Sequence, residues 1–188
     1  IGQNNIKRLI AYSSIGHMGY ALAGLAAGTN SGIQSTLIYL TIYLIMNLGI
    51  FGCIFMMKRE NIFEEDIYEL SGLSRNHPVL SLSFVIILFS LAGIPPMAGF
   101  FAKFYVFMTI IELEMYAFAV VALITTVVSA FYYLRLIKII YFDKPKEKFE
   151  TDHAIGLKIT LAISTGILVI YFIYPGLLNE IVSRISVI

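Results

Sequence analysis

The chain has 188 residues, 59% of them hydrophobic and 13% charged, with a formal net charge of +1 and a mean hydropathy of +0.84. So few polar side chains cannot form the shell of a soluble domain of this length, and so small a net charge gives no field for nucleic acid or an acidic ligand. One cysteine, Cys53, and three scattered histidines, His17, His77 and His153, offer neither a disulfide nor a metal or haem spacing. No glycine-rich dinucleotide fingerprint and no phosphate loop is present.

Residues 9–57 contain no Asp, Glu, Lys or Arg, far more than the roughly 20 residues that one membrane crossing takes. The run divides at Gly28, Thr29, Asn30, Ser31 and Gly32, all turn formers, which predicts one helix over 9–28 and a second over 33–57. Lys7 and Arg8 precede the first helix as cytoplasmic-side charge, either as a topology anchor or as part of a proton path. Within it, His17 reads as a hydrogen-bonded interior residue or as a relay group. Gly24 and Gly28 have the GxxxG spacing of close helix contact. On the second helix Tyr43 and Asn47 stand four apart and share a face, suited to lining a water chain or to bonding a neighbouring helix.

A charged connector covers 58–77, and Pro78 opens a third apolar segment over 79–109. Its middle reads Leu91-Ala92-Gly93-Ile94-Pro95-Pro96-Met97-Ala98-Gly99. Pro95 and Pro96 lack N–H groups, so the carbonyls of Leu91 and Ala92 are expected to lose their helical partners. Gly93 and Gly99 remove steric resistance to unwinding on either side. Freed backbone survives inside a membrane only when buried in protein or facing water, which predicts a helix discontinuous at 93–96 beside a hydrated cavity. Lys103 follows about two turns later. An amine held there can take up and release a proton, and the competing reading is a lysine snorkelling to the far interface.

A fourth helix is predicted over 115–141. It carries Arg135 after Tyr132-Tyr133-Leu134, a residue that either ends a proton path on the basic side or snorkels there. A basic connector at 143–153, a fifth helix over 155–174 and a short, weakly amphipathic, interfacial tail complete the chain. With these boundaries eleven of the thirteen Lys and Arg fall on one side of the membrane, and the positive-inside rule sets that side in the cytoplasm or matrix. The expected fold is therefore all-α: a polytopic transmembrane bundle of about five membrane-spanning helices, one transmembrane domain over 1–188, its third helix broken.

The stretch Asn5-Ile6-Lys7-Arg8-Leu9-Ile10-Ala11-Tyr12-Ser13-Ser14-Ile15-Gly16-His17-Met18-Gly19 and the segment 91–107 closely resemble the antiporter-like membrane subunits of respiratory complex I. Phe131-Tyr132-Tyr133-Leu134-Arg135 points to the branch called subunit N in bacteria and subunit 2 in mitochondria. The resemblance implies a fourteen-helix parent of which this chain holds the last five crossings, and it matches Lys103 to the family's lysine in the outward half of a proton path. Tyr43 stands where sibling subunits carry a histidine, a departure that leaves the titrating partner there open.

The function expected from that resemblance is proton translocation in NADH:quinone oxidoreductase, relayed through Lys103, Tyr43, Asn47 and His17. NADH, FMN, iron–sulfur clusters and quinone are expected on partner subunits, with no cofactor on this chain. Its partners would be other membrane subunits, the lipid of a bacterial plasma or mitochondrial inner membrane, internal water and protons. The alternatives are a subunit of a multisubunit sodium/proton antiporter and a structural scaffold without a proton path.

Overall fold

A computed structural model describes residues 2–60 and 62–185. Helix α1 (Ile6–Ala26) starts at Asn5, whose side chain accepts the N–H of Arg8. Its chain reverses at Gly28, where φ is +64°, and α2 (Asn30–Phe55) begins at Thr29, whose hydroxyl accepts the N–H of Gly32. Both are side-chain N-caps, which satisfy donors that the first helical turn leaves over. The two helices touch through Gly24 and Gly32. A Cβ on Gly24 would come within 2.6 Å of Thr36 Oγ1, whereas Gly28 has nothing within 4 Å. The close contact expected of a Gly24–Gly28 pair is thus made by Gly24 with Gly32 across the turn, and Gly28 serves the turn itself.

The connector folds into β1 (Lys58–Arg59) paired antiparallel with β2 (Ile62–Phe63), a 3-10 turn (Ile67–Leu70) and the short α3 (Leu73–Asn76). Next comes the predicted interruption: α4 (Pro78–Ala92) and α5 (Ala98–Glu112) replace one continuous helix. The long α6 (Tyr116–Phe142) and α7 (Ile155–Ile173) follow, and α8 (Gly176–Ile185) closes the described chain. Observed ends lie within three residues of the predicted ones, and α1 and α2 start three residues early because their capping residues, Asn5 and Thr29, stand ahead of the apolar runs.

Helices α2, α6 and α7 are each long and apolar enough to cross a membrane, and α1 and the interrupted α4–α5 pair complete a polytopic bundle. Helix α2 forms its centre, burying Tyr39, Ile42, Met46, Ile50 and Cys53. Helices α6 and α7 lie outside and expose rows of apolar side chains, including Val120, Ile124, Val127, Ile159 and Ile163. In lipid every backbone polar group needs an internal partner, which is why the spanning parts are helical.

The three basic stretches meet on one side. Ile6 N–H donates to Glu65 O at 2.7 Å, Lys146 N–H to Ser71 O at 3.2 Å and Glu150 N–H to Lys58 O at 2.8 Å. Ion pairs cross the same surface: Lys7–Glu65 at 2.6 Å, Lys146–Glu69 at 2.6 Å and Arg59–Glu69 at 3.0 Å. Lys146, first, and Arg59 hold the Glu69 carboxyl below the usual carboxylate range, and Lys7, followed by Asn5, does the same for Glu65.

Candidate functional site

Hydrogen bonds close the end of α4 at the break between α4 and α5. Gly93 adopts φ +79°. Its N–H reaches Ser90 O at 3.0 Å and that of Ile94 reaches Phe89 O at 3.0 Å, the paired closure of a Schellman motif. The next two carbonyls, Leu91 and Ala92, are the ones predicted to be orphaned. Lys103 Nζ donates to both, at 3.2 and 3.0 Å. The two carbonyls have thus lost their helical partners, as expected, and the amine of Lys103 replaces those partners. On the α5 side, Gly99 N–H donates to Ser90 Oγ at 2.9 Å.

Both glycines are dictated by this geometry. A Cβ at Gly93 would lie 2.8 Å from Lys103 Cδ, and one at Gly99 would overlap the Ser90 carbonyl. Lys103 is only 5% exposed, so it does not snorkel to an interface. Its side chain turns back onto the C-terminal end of α4, where the partial negative charge of the helix favours a cation. The Tyr20 ring lies 5.2 Å from Nζ, within cation–π range.

His17 lies at the centre of a second set of contacts. Its Nδ1 is 2.7 Å from Tyr39 Oη and its Nε2 is 3.0 Å from Tyr133 Oη. Tyr133 also hydrogen-bonds Ser13. The imidazole stacks on Tyr43, with centroids 4.7 Å apart and planes 21° apart. His17 from α1 thus lies directly on Tyr43 of α2. A neutral imidazole donates from one nitrogen and accepts at the other, so His17 links the two tyrosines with a direction that its tautomer sets.

These two sets border one cavity of about 170 Å³, lined by Ser13, His17, Tyr20, Lys103, Thr125 and Ser129 among others. That is room for several waters, with polar groups to hold them. Tyr20 Oη, at its edge, is 2.6 Å from Thr126 Oγ1 and 3.0 Å from Thr125 Oγ1. Among the residues singled out from sequence, the structure brings Lys103, His17 and Tyr43 together. Asn47 is partly buried on α2 and makes no described hydrogen bond to the cluster. Each step of four residues drifts about 40° around a helix, so the face of Tyr39 and Tyr43 has turned away by Asn47.

Lys7 pairs with Glu65. Arg135 bonds Asn4 Oδ1 at 2.9 Å and Tyr68 Oη at 3.0 Å. Both fasten the ends of α1 and α6 to the basic-side connector, away from the cavity. Sequence reasoning missed Ser13, Tyr20, Tyr39 and Tyr133. The signal was available for part of them: Ser13, His17 and Tyr20 follow an i, i+4, i+7 stripe, and Tyr39 precedes Tyr43 by four. Among the described residues no group of three or more His, Cys, Asp or Glu could hold a metal ion.

Residues 1–129 match the model of the family described as NADH:quinone oxidoreductase/Mrp antiporter, TM. The chain belongs to this family. Among its relatives, NADH-quinone oxidoreductase subunit N of Pelagibacter ubique is 63% identical over 188 residues, which is 100% of this chain and 40% of the relative. A chain of respiratory complex I from Thermus thermophilus with bound aureothin superposes with a TM-score of 0.81 at 30% identity, covering 95% of this chain and 40% of that one. A chain of the Mrp complex from Dietzia sp. gives 0.85 at 20% identity, over 98% and 43% of the two chains, and shares the fold. The chain therefore spans 40% of the length of the Pelagibacter relative. Membership of this transmembrane family makes it a multi-pass integral membrane protein.

Proposed function

We propose that the chain is the C-terminal part of a proton-translocating membrane subunit of an NADH:quinone oxidoreductase, with Lys103 as the group that takes up and releases the proton. The reading rests on one observation: a buried amine sits on the end of α4 and borders a cavity that it shares with His17. An ammonium has three N–H donors, two of which go to Leu91 O and Ala92 O. A neutral amine keeps two N–H groups and gains a lone pair. Lys103 can therefore change protonation state without releasing either carbonyl, and only its third position changes, from donor to acceptor.

Water in the cavity then carries the proton between that position and the polar groups lining it, Ser13 among them, while His17, held between Tyr39 and Tyr133, orients that end of the cavity. In this reading NADH, flavin, iron–sulfur clusters and quinone belong to partner subunits, and quinone reduction there drives the cycle by changing the charge of groups near the cavity.

The test uses the complete assembly. Lys103→Arg keeps donors for both carbonyls but cannot deprotonate, so assembly should persist while the proton-to-electron ratio falls. Lys103→Met should lose both. A Lys103→Arg assembly that pumps at the wild-type ratio overturns the relay role.

A further inference from the structure

A cavity of about 690 Å³ opens between the N-terminal ends of α4 and α7, on the basic side of the membrane. It shares no lining residue with the cavity of Lys103 and His17. His77, His153 and Lys158 stand on its rim, and Val79, Leu161 and Gly166 line its wall. Val79 on its lining is exposed, as are Leu82 on α4 and Ile155 and Ile159 on α7.

The charge on the rim is unbalanced. Its carboxylate, Glu150, lies 3.5 Å from Lys58, whereas the side chains of Lys158 and His153 show no hydrogen bond or ion pair among the described residues. Phe149 N–H donates to His77 Nε2 at 3.0 Å. The neutral His77 ring therefore carries its proton on Nδ1 and keeps a donor to give. Deeper on the wall, Thr165 Oγ1 is buried and without a hydrogen-bond partner. One cation, Lys158, beside two imidazoles above, an apolar trough below and a spare hydroxyl on the wall together fit an anion attached to hydrocarbon.

We propose that this cavity seats an anionic phospholipid, its phosphate against Lys158 and His153 and an acyl chain along the trough beside Gly166. Inorganic phosphate leaves the apolar wall unfilled, and a zwitterionic lipid brings its own cation to Lys158. Basic pockets between transmembrane helices on this side of a bilayer hold anionic headgroups by the same balance of charge and burial.

The test reconstitutes the complete assembly with photoactivatable phosphatidylglycerol or phosphatidylcholine at equal mole fraction and maps the labelled peptides. Phosphatidylglycerol should label residues 77–83 and 158–166 in excess, and Lys158→Gln should cut that label about fivefold, the worth of one cation at an anionic lipid surface. Gly166→Phe is the second variant. A Cβ at Gly166 meets nothing within 4 Å, so the ring can fill the trough without disturbing the fold, and the label should fall while that on α6 stays constant. Equal labelling by the two lipids, label unmoved by both variants, or displacement by inorganic phosphate alone would each overturn the proposal.

Discussion

At Gly93 two demands coincide on one residue. The backbone has φ +79°, and Lys103 Cδ occupies the space that a Cβ would need. A side chain in the left-handed region costs about 1–2 kcal/mol, and here it would also push the amine off its carbonyls. Gly93→Ala should therefore lower thermal stability in detergent by at least that amount and reduce pumping with it. Gly156→Ala is the control, because nothing lies within 4 Å of a Cβ there, and its melting temperature should hold or rise. Lys103 carries a matching prediction in stability alone. Lys103→Met leaves two buried carbonyls without a donor, at roughly 1–3 kcal/mol each, and Lys103→Arg should recover most of that loss. A thermal melt of both variants checks it. The sequence identified the break and the lysine separately. It did not show that one completes the other, because the reach of a side chain back across eleven or twelve residues depends on how the two half-helices are placed.

Between elements, the His17 set joins α1, α2 and α6 through the hydroxyls of Tyr39 and Tyr133. One hydroxyl must donate to the ring while the other accepts, so their contributions are coupled. Tyr39→Phe and Tyr133→Phe should each cost about 1 kcal/mol, and the double variant should depart from additivity by about 0.5–3 kcal/mol. Denaturation of the four members of the cycle in a fixed detergent measures the coupling, and simple additivity would mean that His17 does not transmit between them. Helix existence, the turn at Gly28 and the positions of the ends were legible in composition and capping residues. The partner of Gly24 was not. GxxxG describes one helix surface, whereas the observed contact with Gly32 arises from the turn that folds α2 back onto α1.

For the whole molecule, the basic-side surface carries a pH dependence of defined sign. Burial, followed by Lys148 and His153, lowers the His77 pKa, in keeping with the bond that its neutral Nε2 accepts from Phe149. The unfolded chain therefore binds a proton at higher pH than the folded one. The stabilisation is complete above the ordinary histidine value of about 6.5 and fades as pH falls below it. Hydrogen exchange of residues 143–153, corrected for intrinsic rates, should be less protected at acid pH, and His77→Phe should remove that change. Glu65 and Glu69 titrate lower than usual through Lys7 and Lys146 respectively. Their contribution should persist down to about pH 4.3 and disappear only below it. Charge asymmetry alone foretold that the three basic stretches share one side. Their pairing with particular carboxylates was not foretold, since ion-pair partners separated by 77 residues, as Lys146 and Glu69 are, meet only after the helices assemble.

The sequence by itself determined what is local. Long uncharged runs must cross the membrane as helices, adjacent prolines must interrupt one of them, and most of the Lys and Arg must collect on one side. Each follows from covalent structure or from transfer between water and lipid, and neither depends on which helix stands beside which. Tertiary structure alone decided what occupies the interruption and what surrounds the amine. Lys103 becomes the donor for Leu91 and Ala92, and His17 meets Tyr133 across 116 residues of chain, because crossing angle and rotation fix the approach of side chains and leave no mark in the periodicity of any single helix.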